Sequence, residues 1–109
     1  MAKAKSTTTT PKRPLNLQLE EYRKAAMTLR AINHKVRQQI LSVIHDSGEI
    51  AVGAIYRKLK LEQAFTSAHL AVLRKAGVVL TRREGQNIYY SINHAHIEEI
   101  RRGCKVING

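Results

Sequence analysis

Cysteine, tryptophan, acidic side chains and long apolar runs are all scarce in this chain of 109 residues. Its single cysteine, Cys104, has no partner for an intramolecular disulfide and excludes a CxxC redox or zinc motif. Five aromatics and no tryptophan are too few for a platform on which single-stranded bases stack. No apolar run exceeds four residues, so no membrane span is expected. The N-terminus shows no apolar stretch of the secretory kind, which makes the cytoplasm the expected compartment. Proline occurs only at Pro11 and Pro14, so nothing further along interrupts a helical pattern. Histidines and acids are present, but no serine, cysteine or carboxylate pair stands in a recognised catalytic spacing. Enzyme is therefore the least supported class, and no cofactor is implied.

What is abundant is positive charge. Lysine and arginine total 19 against 8 acids, a formal net charge of +11. Residues 1–16 hold Lys3, Lys5, Lys12 and Arg13 with no acid, a share of +4, and the remainder carries +7. Residues 1–16, with Thr7 to Thr10 between the lysines and two prolines, lack the apolar surface to order themselves. They read as a flexible basic arm, solvated or tracking DNA, ahead of one domain over 17–109. Because that domain is basic in its own right, an anionic partner is expected for the fold itself.

Apolar periodicity organises the domain. Leu19, Tyr22, Ala26, Leu29 and Ile32 recur at mostly three- and four-residue steps, predicting a first helix that Asn33 and His34 interrupt. In a second helix Val36, Ile40, Val43 and Ile44 point inward, and Gly48 suits the left-handed position after its end. Ile50 to Leu59 reads as a short third helix, Lys60-Leu61-Glu62 as a tight connection, and Glu62 to Ala76 as a fourth helix. The period then changes. Val78 to Arg83 and Ile88 to Ile92 read as two strands around a Glu84-Gly85-Gln86-Asn87 turn. His94 to about Arg102 returns to helix on Ile97 and Ile100. The expected fold is mainly α with a β-hairpin, in the order α-α-α-α-β-β-α of a winged helix-turn-helix.

On a helical wheel, the fourth helix gathers Thr66, Leu70, Leu73, His69, Ala76, Phe65 and Val72 on one arc. Gln63, Ala64, Ser67, Ala68, Ala71, Arg74 and Lys75 fall on the other. Small side chains let a helix backbone approach the major groove, where an amide such as Gln63 can pair bidentately with adenine. Alanine methyls can touch a thymine methyl, and Arg74 and Lys75 can reach phosphate. An ordinary solvent-facing helix would also accept these residues. The hairpin tilts the balance, since Arg82, Arg83, Gln86 and Asn87 place cations and amides at a projecting tip suited to a phosphate backbone. The competing reading is an architectural or RNA-associated basic protein whose affinity follows salt alone.

Two ordered motifs stand out: S-x-H-L-x-x-L-x-x-A-G over Ser67 to Gly77, and R-x-G-x-x-x-Y-Y running on to Tyr89-Tyr90. With His34-Lys35-Val36-Arg37-Gln38-Gln39-Ile40-Leu41 and Leu59-Lys60-Leu61-Glu62-Gln63, they make the run from Asn33 to His96 resemble the ArsR/SmtB family of winged-helix repressors. The resemblance covers over half the chain. It implies a homodimer that binds double-stranded DNA at an inverted-repeat operator and represses transcription. It places the dimer interface on the first and last helices, here Leu19, Tyr22, Ala26 and Leu29 with Ile97 and Ile100. It places the base-facing positions on Gln63, Ala64, Ser67 and Ala68, on the arc that the wheel selects.

Many relatives in such a family release DNA on binding a metal or metalloid. One sensor pattern resembles E-L-C-V-C-D-L, but Glu49 to Ile55 puts Ala51 and Gly53 in the cysteine places, so a thiolate site is excluded there. A second pattern pairs two ligands in the last helix, matched by His94 and His96, with two later ones. Those fall on Ile107 and past Gly109, which leaves half the set unmatched. Residues i and i+2 point to different helix sides, so the expectation is no metal, with His94 a cap and His96 an interface histidine. Cys104 reads as an inert thiol or an intermolecular disulfide partner. The inducer stays open.

Overall fold

The computed structural model describes the backbone of residues 15–108 and the side-chain surroundings of residues 19–102. Most of the arm expected over 1–16, and the side chains of Cys104 and Ile107, lie outside the described residues. Helix α1 (Leu15–Ile32) begins two residues before the domain boundary expected at residue 17. Its apolar content turns two ways. Ala25, Thr28 and Ala31 are buried within the protomer, while Leu19, Tyr22 and Leu29 face outward.

His34 is the capping residue of α2 (Lys35–Ser47), not merely an interruption. In extended backbone, its ring Nδ1 accepts the Val36 N–H at 3.1 Å, satisfying one of the free donors of the first turn. Ile40 and Ile44 of α2 are fully buried. Gly48 closes the helix at φ 79, the positive-φ residue expected there, with its N–H bonded to the Ile44 carbonyl at 2.9 Å.

The chain then departs from expectation. Ile50 and Ala51 are a strand, β1 (Ile50–Ala51), not the start of the third helix. They pair antiparallel with Tyr90 and Tyr89, so the expected two-stranded hairpin is a three-stranded sheet. Pairing with a distant strand edge decides this, because two residues carry no periodicity of their own. Helix α3 (Val52–Leu59) follows and ends at Lys60, a left-handed residue (φ 56, ψ 45). This conformation costs a non-glycine residue about 1 kcal/mol. It makes the sharp turn into α4 (Gln63–Lys75).

Thr66, Leu70 and Leu73 of α4 are buried, and the Thr66 hydroxyl donates to the Glu62 carbonyl at 2.9 Å. The wheel's apolar arc proves too wide at its edges. Phe65 and Val72 are 42% and 37% exposed, because one protomer covers only the central stripe. Strands β2 (Val79–Glu84) and β3 (Asn87–Ile92) pair from Val79↔Ile92 to Glu84↔Asn87. Gly85, at φ 65, takes the first central position of the two-residue turn, where only glycine is unstrained.

Helix α5 (His94–Asn108) runs beyond its expected end near Arg102. A glycine at position 103 costs a helix interior about 1 kcal/mol, which weakens the element without ending it. Asn93, and not His94 as expected, caps α5, because His94 is already the first residue of the helix. Asn93 Oδ1 accepts the His96 N–H at 3.3 Å while its Nδ2 donates to the Gly77 carbonyl at 3.0 Å. One core joins these elements, built from Ala31, Ile40, Ile44, Ile55, Leu70, Leu73, Val78 and Val79.

Candidate nucleic-acid interface

Helices α3 and α4 pack on each other across the Lys60 turn, the geometry of a helix-turn-helix. The buried Thr66–Leu70–Leu73 stripe fixes the rotation of α4 about its axis. Gln63, Ala64, Ser67, Ala68, Ala71, Arg74 and Lys75 are consequently all exposed. Gln63 stands at the N-terminal end of α4, where side chains of a groove-reading helix meet base edges. Arg74 and Lys75 occupy the last turn, where their charge also complements the helix dipole.

The wing tip carries Arg83, Gln86 and Asn87, all exposed, as the sequence suggested. Arg82 is differently placed. Its Nε and Nη2 donate to the two carboxylate oxygens of Glu49 at 3.0 and 2.9 Å, and its Nη1 donates to Glu84 at 3.2 Å. Its guanidinium lies 4.8 Å from the centre of the Tyr89 ring. The hydrogen bond from Arg82 holds the Glu49 carboxyl below its ordinary value. Arg82 in turn clings to its proton more tightly than a free arginine, chiefly through Glu49 and then Glu84. Sequence reasoning missed Glu49, which stands 33 positions from its partner.

A second polar group links α4 to the α1–α2 junction. His69 lies with its ring 4.6 Å from that of His34 and 4.7 Å from that of Phe65, the latter edge-on. Arg37 donates from Nε to His69 Nδ1 at 3.1 Å and from Nη1 to the Ala31 carbonyl at 3.2 Å. Burial, with the charges of His34 and Arg37, holds the His69 pKa below its ordinary value.

The residues expected at a dimer interface divide. Leu19, Tyr22 and Leu29 are 49%, 46% and 48% exposed, large apolar groups left uncovered by the protomer. Ala26 and Ile100 are half-buried, and Ile97 packs against the protomer's own core. His94 and His96 are drawn to different neighbours. His94 lies 6.0 Å from the His45 ring, while His96 Nε2 meets the buried Thr28 hydroxyl at 2.9 Å. Among the described residues, no three histidine, cysteine or acidic side chains are grouped to hold a metal ion.

Known proteins share this arrangement. Residues 34–81 match the family described as bacterial regulatory protein, arsR family. The transcriptional activator HlyU of Vibrio cholerae is 38% identical over 87 residues, spanning 78% of this chain and 80% of its own. Its solved structure superposes with a TM-score of 0.64 at 37% identity, covering 76% of this chain and 94% of that one. The biofilm growth-associated repressor of Agrobacterium fabrum is 34% identical across 72% of this chain and 67% of its own. A homodimeric winged helix-turn-helix DNA-binding domain from Mycobacterium bovis, a possible ArsR-family regulator, gives a TM-score of 0.70 at 29% identity, covering 92% and 86% of the two chains. This chain belongs to the ArsR family of bacterial regulatory proteins, DNA-binding transcriptional regulators built on a winged helix-turn-helix.

Proposed function

We propose that this regulator acts as a homodimer on an inverted-repeat operator, reading bases with α4 and following the phosphate backbone with its wing. The observation that carries this reading is the division of α4. A buried stripe orients the helix, and an exposed face of small residues flanked by Gln63, Arg74 and Lys75 is presented to the groove. Small side chains at Ala64, Ser67 and Ala68 let the backbone approach, Gln63 offers an amide to adenine, and the terminal cations meet phosphate. Arg83, Gln86 and Asn87 extend the contact along the backbone.

Dimerisation is supported by Leu19, Tyr22 and Leu29, whose exposed apolar surface a second α1 would cover. The homodimeric state of the Mycobacterium bovis relative supports it too. Two-fold symmetry sets the recognition helices about 34 Å apart, which makes the target an inverted repeat. Repression follows where such an operator overlaps a promoter, because the bound dimer occupies the polymerase's site. Among the described residues, no helix is long and apolar enough to cross a membrane. We place the protein with the DNA in the cytoplasm, its arm over residues 1–16 adding non-specific attraction.

The test is selection of bound duplexes from a randomised pool with the full chain, followed by competition with excess random duplex. Enrichment of an inverted repeat that survives competition is expected. Loss of all protection, with affinity tracking salt alone, would return the protein to the architectural class.

A further inference from the structure

The three strands place Ala51, Tyr89 and Arg82 on one face of the sheet, since Ala51 pairs with Tyr89 and Tyr89 with Arg82. Glu49, in the bend just before β1, receives both hydrogen bonds from Arg82 at that edge. Arg82 therefore reaches across the central strand, over the Tyr89 ring, to the carboxylate on the far side.

We propose that Arg82 is a positioning residue that fastens the wing to the helix-turn-helix through Glu49, and that phosphate contact at the wing falls to Arg83. Glu49 lies immediately before β1, and β1 leads directly into α3, the first helix of the helix-turn-helix. A clasp at Glu49 thus sets the wing's pitch relative to α3 and α4. Backbone pairing alone secures this edge weakly, since β1 contributes only two residues.

The electrostatics favour the same division of labour. Glu49 and Glu84 surround a single guanidinium, so the cluster bears a net negative charge and opposes an approaching phosphate. Bidentate pairing already commits the planar fork that would otherwise grip a phosphate. Arg83 projects from the opposite face of β2, cross-strand from Ile88, and makes no ion pair among the described residues. Its charge is available.

This inference rests on the DNA-binding reading of the wing, and its test separates the two. Affinity of the full chain for its selected duplex is measured across a salt series for wild type, Glu49→Gln, Arg82→Ala, Arg83→Ala and the exchange Glu49→Arg with Arg82→Glu. Removing an acid near DNA should tighten binding on charge alone. The clasp instead requires Glu49→Gln to weaken binding about two- to fivefold with an unchanged salt slope, and the exchange to recover most of the loss. Arg83→Ala should lower the slope by about 0.9, the mark of one lost phosphate contact. Tighter binding by Glu49→Gln, with the slope falling for Arg82→Ala, would overturn the assignment and make Arg82 the phosphate contact. Amide exchange over residues 82–89 of the free protein gives an answer independent of DNA. Faster exchange in Glu49→Gln is expected, and unchanged exchange would remove the clasp. If wild type fails to select any duplex, the DNA reading and the Arg83 role fall together, and exchange alone decides the clasp.

Discussion

Arg37 donates through Nε to Nδ1 of His69 at 3.1 Å, binding α2 to the recognition helix through a ring that must be neutral at that nitrogen. The other groups facing His69 are His34 at the α1–α2 junction and Phe65 on its own helix. Protonation would replace the accepted hydrogen bond by repulsion from Arg37, and burial already disfavours the charged ring.

A pH dependence follows. With the folded-state pKa of His69 below its ordinary value of 6.5, the unfolded chain takes up this proton first as pH falls. Stability is then fully present above about pH 6.5, declines as pH falls through that value, and levels off below the folded-state pKa. Denaturant unfolding at pH 7.5 and 5.5 checks this, with His69→Gln as the comparison. The variant should lose part of the wild-type decline. An identical decline in both proteins would assign it to other groups.

Leu70→Ala should destabilise the protein by about 2–5 kcal/mol, because Leu70 is fully buried at the centre of the stripe that seats α4. Denaturant midpoints give the measurement. A cost well under 1 kcal/mol would mean that α4 is held by its flanks and not by this stripe.

Much of this fold is readable from spacing, and the reasons are particular. Ile40 with Ile44, and Leu70 with Leu73, recur at helical steps because the core needs them on one face. Gly85 marks the hairpin because its turn requires positive φ. Strand β1 is different, since Ile50 and Ala51 become a strand only when Tyr90 and Tyr89 offer an edge. The Arg82–Glu49 pair depends on that same strand order, so composition showed the arginine and not its partner. The exposure of Phe65 and Val72 likewise reflects which neighbours arrive, which a wheel cannot register.

Asn93→Ala should cost about 0.5–2 kcal/mol, since it removes both the α5 cap and the bond to the Gly77 carbonyl. Amide exchange in the first turn of α5 should rise with it. Unchanged exchange there would show that the backbone bond from Ile97 to Asn93 suffices.

Leu29→Glu should leave the protomer folded, because Leu29 is 48% exposed and the fold does not cover it. A carboxylate buried between two α1 helices would be unpaired, so dimerisation should fall by at least tenfold. Sedimentation equilibrium reports the mass and circular dichroism the fold. An unchanged mass would move the dimer interface away from this part of α1.

Gln63→Ala tests the proposed base reading at the N-terminal end of α4. Gln63 is exposed and outside the buried stripe, so its loss should leave stability within about 0.5 kcal/mol of wild type. The loss on DNA should be confined to one base pair in each half-site, at about 1–3 kcal/mol where an adenine pairs with the amide. Uniform weakening across all duplexes would instead make Gln63 a backbone contact, since phosphates carry no base identity. Affinities for operator variants substituted one pair at a time separate the two outcomes, and the same salt throughout keeps the comparison free of counterion effects.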